Sequence, residues 1–239
     1  MSLTNRNSSQ HGLNPVHISA NLEVSPNVYV ISWKRGNSFT PGQVVKISLN
    51  LNDAPRIYSI CSGNKEEEIS VLYNVKSDGA LTPHLSALKK GDKIYVSDPY
   101  GSFSCDESPA CWISTGTGIA PFHSMIQSGN TKNKILLHGA SYANQFYFSE
   151  YLHRELGDNY IRCCSREKVS GDLDSQGKKE GAKGVRFPGR VTDYLSTVGE
   201  LPEAYKYYLC GQALMVVEVR DLLIQKGVPY DRIYAEIFF

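Results

Sequence analysis

Three short segments carry residue types that chemistry uses. In Ser114-Thr115-Gly116-Thr117-Gly118-Ile119-Ala120-Pro121 a Gly-x-Gly turn falls between an apolar strand and a helix. Glycines at such a turn let the backbone approach a ligand closely, and the helix that follows offers free N–H donors to a diphosphate. In Arg56-Ile57-Tyr58-Ser59 strand alternation puts Arg56 and Tyr58 on one face, Ile57 and Ser59 on the other. A guanidinium beside a flat aromatic can pair with a phosphate and stack on a planar ring. In Gly79-Ala80-Leu81-Thr82-Pro83-His84-Leu85, Thr82 reads as an N-cap with Pro at the first helical position, a second place where a phosphate can sit.

Each segment alone also has an ordinary reading: a common strand-to-helix turn, a strand with one solvated Arg and a half-buried Tyr, and a helix cap. Tyr73 reads equally well as sheet core, and Cys210 as a buried strand cysteine. The adjacent Cys163 and Cys164 point to opposite faces of a strand, so two ordinary thiols are expected there.

Two rhythms position these segments. From about Pro15 to Ser104 the stretches VHISANLEV, NVYVISWKR, GQVVKISLN, RIYSICS, EISVLYNVK and KIYVSD are β-branched or aromatic and separated by Gly, Pro, Asn and Asp. That spacing predicts a small antiparallel barrel or sandwich, interrupted by one helix from Thr82 to Lys90 that stops at Gly91. After Asp106 short apolar strands alternate with amphipathic segments, ending in RIYAEIFF, which predicts a doubly wound parallel sheet. The polar run between Cys105 and Pro109 marks the boundary. Residues 1–14 read as a disordered tail, and residues 167–188, rich in Gly, Lys, Asp and Ser, as a loop without a regular element.

Composition excludes several classes. Lys+Arg 25 against Asp+Glu 24 leaves a net charge of +1, so no basic field drives nucleic-acid binding. The apolar runs are too short to span a bilayer, and residues 1–10 lack the apolar stretch of a secretory signal. The six cysteines include no C-x-x-C pair and no metal or cluster spacing, which points to reduced thiols in a cytoplasmic protein without metal.

Together, R-x-Y-S, G-x-x-T-x-x-L and G-T-G-I-A-P, in that order, resemble the ferredoxin-NADP reductase family of flavoproteins. Cys210-Gly211 followed by Met215, and the closing Ala235-Glu236-Ile237-Phe238-Phe239, match as well, and the resemblance is closest to the bacterial flavodoxin/ferredoxin reductases. It implies an FAD-binding β-barrel domain over residues 15–105 and an NADP-binding α/β domain over residues 106–239. It also implies hydride transfer between NADPH and FAD, and one-electron exchange with ferredoxin or flavodoxin, in a protein expected to be monomeric; the alternatives are an NAD(P)H-dependent reductase serving an oxygenase or free flavin, and a flavin-binding electron-transfer subunit without NADPH turnover. Relatives carrying a fused iron–sulfur domain are excluded by the missing cysteine cluster.

By this resemblance Arg56 holds the FAD diphosphate, Ile57 belongs to the same strand, Tyr58 packs against the isoalloxazine or ribityl, and the Ser59 hydroxyl lies near flavin N5. Leu72, Tyr73, Asn74 and Val75 occupy the strand that makes backbone contacts to flavin, and Gly79, Ala80, Leu81 and Thr82 close around the diphosphate. Gly116, Thr117 and Gly118, with Ile119 and Pro121, take the nicotinamide dinucleotide, Thr117 also facing FAD. Cys210, Gly211 and Met215 line the nicotinamide pocket, and Ser59, Cys210 and Glu236 form the catalytic set. Phe238 stacks on the flavin and Phe239 lies nearer the adenine. Ser165 and Arg166, with Arg190, suit a 2′-phosphate, so NADP is expected over NAD. The lysines at 178, 179 and 183 with Arg186 read as a solvated loop or an added phosphate or carrier contact.

Overall fold

The structure is a computed structural model that describes residues 12–166 and 185–238, with Phe238 described by its backbone alone. The expected tail up to residue 11, the segment 167–184 and Phe239 lie outside the described residues.

The first half folds as six strands: β1 (Leu13–Ser25), β2 (Val28–Lys34), β3 (Val44–Ser48), β4 (Arg56–Ser59), β5 (Glu68–Asn74) and β6 (Lys93–Ser97). Leu13 and Asn14, expected in the tail, already belong to β1, and Leu13 is buried. The order is β4-β3-β6-β1-β2-β5, with every pairing antiparallel. β1 pairs with β6 through its first half and with β2 through its second, shifting register between Ile18 and Ala20 as it turns the corner. An Ile60–Val71 bridge and the hydrogen bond from the Cys61 N–H to the Ser70 carbonyl (2.8 Å) join β4 back to β5, so the sheet closes into a barrel. Its lumen is filled by Ile31, Val45, Ile47, Ile60, Val71 and Ile94, all without solvent exposure.

One end of the barrel is plugged by α1 (Thr82–Ala87), whose Leu85 is fully buried. The helix is shorter than the expected run to Lys90. The Asn21 amide donates to the Leu85 and Leu88 carbonyls, both at 2.9 Å, and satisfies the helix end there, so Leu88 leaves in an extended conformation.

The second half is a parallel sheet of β7 (Ala110–Thr115), β8 (Lys134–Ala140), β9 (Tyr160–Cys164), β10 (Val185–Pro188), β11 (Lys206–Gln212) and β12 (Ile233–Phe238). Its order is β10-β9-β8-β7-β11-β12. α2 (Ala120–Gln127) and α3 (Ser149–Leu156) cover one face, where Phe122, Met125 and Leu152 pack on Trp112, Leu136 and Tyr160. α4 (Val191–Thr197) and α5 (Ala213–Gln225) cover the other, with Val191, Leu195 and Val219 over Ile113, Leu137 and Leu209. The chain leaves β7 toward β8 and returns on its other side as β11, which makes the carboxyl ends of β7 and β11 the switch point where such sheets bind ligands.

β10 corrects the sequence expectation, which left residues 167–188 without an element. It is a short edge strand whose residues are mostly exposed, ending in Pro188, so it has no apolar alternation to reveal it. Between the two halves the polar run from Cys105 to Pro109 is held by the buried Lys134, which donates to the Asp106 carbonyl (3.0 Å) and the Ser108 carbonyl (2.6 Å).

Candidate active site

A cleft of about 920 Å³ lies where the barrel meets the switch point, near the upper end of the range small-molecule sites take. All four residues of β4 line it: Arg56, Ile57, Tyr58 and Ser59. Tyr58 is half-buried and stands edge-on to Tyr73 at 6.3 Å. Ser59 is buried and directs its hydroxyl at the Glu236 carboxylate across the cleft, 3.5 Å away.

The loop of residues 76–82 forms the next wall. The Gly79 N–H donates to the Lys76 carbonyl (2.9 Å), and a side chain at Gly79 would put its Cβ 3.1 Å from that same oxygen. Thr82 is not the N-cap: Leu81 holds that position, and the Thr82 hydroxyl accepts the Lys76 N–H at 2.9 Å, bracing the loop instead. Gly79, Ala80, Leu81 and Thr82 all face the cleft, as do Leu72, Tyr73 and Asn74 at the end of β5. Val75 does not; it packs against the barrel core.

The second half contributes the tight turn of Gly116–Ile119. Gly118 lies so close to β11 that a Cβ there would be 2.3 Å from the Cys210 carbonyl oxygen. Gly211, at φ +146°, would meet the Thr115 hydroxyl at 2.5 Å. Two glycines therefore allow the ends of β7 and β11 to touch. Thr117 and Ala120 face the cleft, whereas Ile119 and Pro121 are buried beneath the turn. Met215 packs under Gly211 in the core shared with α4 and α5, so it shapes the pocket floor without lining the cleft.

Strand register completes the set. Cys210 pairs with Ser114 on one side and Glu236 on the other, and it has no solvent exposure. Burial raises the Glu236 carboxyl to about 7, opposed by the Ser59 hydroxyl, which places its proton exchange in the neutral range. Burial, reinforced by Glu236, pushes the Cys210 thiol well above its usual value, so it stays a neutral thiol. Burial pushes Tyr58 up to about 12, opposed by Arg56.

At the far end of the sheet Ser165 and Arg166 leave β9 exposed to solvent. Pro188 pairs with Cys164, and the Gly189 N–H donates to the Cys164 carbonyl (2.9 Å), which brings the exposed Arg190 to the same edge. Phe238 pairs through its backbone with Gln212, while its ring and Phe239 lie outside the described residues.

Sequence reasoning missed Lys76, Tyr234 and the Tyr100-Gly101-Ser102-Phe103 turn, all of which line the cleft. Arg56 and Lys76 are the cations in its wall, and neither is ion-paired among the described residues. The Tyr100 hydroxyl is buried without a hydrogen-bond partner. Unpaired cations, glycine turns, a half-buried aromatic and an orphaned hydroxyl fit a large ligand with both a diphosphate and a planar ring. Among the described residues no cluster of His, Cys, Asp or Glu could hold a metal, and no helix is long and apolar enough to cross a membrane.

A closed barrel joined to a doubly wound sheet, with this cleft at their junction, is a two-domain architecture suited to binding dinucleotide-type ligands. The family described as oxidoreductase FAD-binding domain matches residues 15–105, and oxidoreductase NAD-binding domain matches residues 112–221. The chain is 35% identical to a ferredoxin–NADP reductase of Pseudomonas aeruginosa over 216 residues, covering 81% of each chain. It is 33% identical to the flavodoxin/ferredoxin–NADP reductase of Escherichia coli over 200 residues, 74% of this chain and 76% of that one. Reductase components of oxygenases are among its more distant relatives. In fold it is similar to a ferredoxin NADP+ reductase from Neisseria gonorrhoeae with bound FAD and NADP, with a TM-score of 0.81 at 18% identity over 95% of this chain and 99% of that one. The chain belongs to the ferredoxin–NADP reductase family, and its cofactors are FAD and a nicotinamide dinucleotide.

Proposed function

We propose that the protein exchanges hydride between NADPH and FAD and passes single electrons to or from a ferredoxin or flavodoxin. The observation that carries this reading is the Ser59–Glu236 contact where the FAD-type barrel faces the dinucleotide turn, with Cys210 buried beside Glu236 in strand register. Bound FAD supplies what side chains lack, the ability to take electrons as a pair and release them singly.

The chain's own residues bind, align and manage protons. Arg56 and Lys76 neutralise the FAD diphosphate, and the turn at residues 79–82 wraps it. Gly116, Thr117 and Gly118 take the second diphosphate on the backbone N–H groups of the turn. Cys210 and Gly211, buried behind Glu236 and the Gly116–Ile119 turn, would back the nicotinamide site with uncharged groups. Ser59 and Glu236 hold an exchangeable proton at the cleft, on a carboxyl poised near 7. Ser165, Arg166 and Arg190 recognise a 2′-phosphate, which selects NADPH.

The test is NADPH-driven reduction of purified ferredoxin and flavodoxin, followed anaerobically in each carrier's own absorbance. Carrier reduction that depends on the protein supports the reading. Rapid flavin bleaching by NADPH without reduction of either carrier would instead favour a reductase serving an oxygenase, the activity named for some of its relatives.

A further inference from the structure

We infer that His123 is a positioning residue that sets the flavin wall of the cleft against its nicotinamide wall. This rests on the reading above, in which Ser59 faces flavin and Thr117 faces the dinucleotide. His123 belongs to α2, three residues after Ala120 of the cleft wall, and its ring is buried between the two halves of the molecule. Its Nδ1 bonds the Cys61 carbonyl at 2.7 Å, two residues beyond Ser59. A carbonyl only accepts, so Nδ1 carries the proton. Burial lowers the imidazole to about 4, which keeps the ring neutral with Nε2 unprotonated across the physiological range.

Neighbouring contacts repeat the link. The Ser124 hydroxyl donates to the Ser62 carbonyl at 2.6 Å, and the Asn64 N–H donates to the Ser128 hydroxyl at 3.0 Å. Gly63 lies so near α2 that a Cβ there would be 3.0 Å from the Gln127 carbonyl. Residues 61–64 are thus fastened along α2, one connection after another. On its other side the His123 ring stacks on Phe148 at 3.9 Å and meets Tyr151 edge-on at 5.2 Å. Phe148 holds φ +61°, a conformation rare for a bulky residue, at the position where its ring stacks on His123.

The consequence is mechanical. Only Ile60 separates Ser59 from Cys61, and only Pro121 and Phe122 separate Ala120 from His123, so a shift of this contact moves one cleft wall against the other. Hydride transfer depends steeply on the separation and angle of the two rings, whereas binding each dinucleotide depends on its own wall. His123 therefore governs the rate of transfer more than either affinity.

The test compares holoenzyme carrying His123→Phe, which keeps a stacked ring and loses the donor, with His123→Asn, whose amide donor takes the place of Nδ1. Ser124→Ala removes the adjacent bond and keeps His123. The measurements are FAD content, NADP+ affinity from the flavin difference spectrum, the limiting rate of flavin bleaching at saturating NADPH, and hydrogen exchange of residues 60–64. For His123→Phe the expected result is full FAD content, NADP+ affinity within about twofold of the parent, a limiting rate lowered about tenfold and faster exchange at 60–64. His123→Asn restores most of the rate, and Ser124→Ala lowers it about threefold. A parental limiting rate in His123→Phe, or equal loss of rate and of both affinities, overturns the proposal. If His123→Phe does not fold, a parental rate in Ser124→Ala overturns it. A parent protein that no nicotinamide bleaches contradicts the functional reading instead, and unaltered exchange at 60–64 in Ser124→Ala then contradicts the clamp separately.

Discussion

Replacing Glu236 with Gln should remove a pH dependence of stability that the cleft imposes. Burial raises this carboxyl from 4.5 to about 7, with the Ser59 hydroxyl at 3.5 Å pulling weakly the other way. Folding therefore favours the protonated form. The stabilisation it gives is fully present below the unfolded value and is lost as pH rises through the folded one, between 4.5 and about 7. At about 1.4 kcal/mol per pH unit that shift amounts to about 3 kcal/mol for a wholly buried group, and the solvent reaching one side of Glu236 reduces it to about 1.5–2 kcal/mol. A domain pair of this size melts about 2–4 °C lower per kcal/mol lost. Thermal melts of the holoprotein with excess FAD, from pH 4.5 to 8.5, provide the assay. The variant's melting temperature should match the parent's at the acid end and exceed it by about 3–8 °C above pH 8. A difference that stays constant with pH, or shrinks toward alkaline pH, refutes the assignment of a buried, raised carboxyl.

Other substitutions probe the walls of the cleft one at a time. Arg56→Ala should weaken FAD binding about ten- to a hundredfold, read from flavin retained after gel filtration, because it removes one of the two cations there; retention at parental stoichiometry would refute the diphosphate role. Arg166→Ala should weaken NADPH about tenfold and leave NADH within about twofold, and equal loss for both would contradict recognition of a 2′-phosphate. Gly118→Ala would force a Cβ to 2.3 Å from the Cys210 carbonyl, so the turn must part from β11. A stability loss of about 1–3 kcal/mol by urea denaturation, together with weakened NADP+ binding, is expected, and a variant equal to the parent in both would contradict this packing.

Much of the architecture was legible because the chain changes hydrophobic rhythm after Asp106. The six barrel strands alternate or carry β-branched runs that follow directly from one-sided burial, and Ile31, Val45 and Val71 sit where that pattern puts them. β10 was not legible, since an exposed edge strand needs no apolar face and takes its shape from hydrogen bonds to β9. The length of α1 was misjudged because its end is set by Asn21, more than sixty residues earlier in the chain. Within the site, the motif residues Arg56, Tyr58, Ser59, Gly79 and Thr117 converge on the cleft. Lys76 and the Tyr100-to-Phe103 turn escaped notice because their place in the wall comes from tertiary closure, with no local spacing to mark them. Thr82 shows the opposite failure: its sequence context fits a helix cap, yet the Lys76 N–H takes its hydroxyl. His123 looks like an ordinary polar residue in an amphipathic helix, and only the barrel's approach to α2 gives it a partner.

The most direct measurement of the central claim is an anaerobic titration of the FAD-loaded protein with NADPH and, separately, with NADH, followed in the visible absorbance of the flavin. The account predicts flavin bands that bleach at near-stoichiometric NADPH and only at large excess of NADH. A protein that cannot be loaded with FAD, or whose flavin neither nucleotide bleaches, would contradict it.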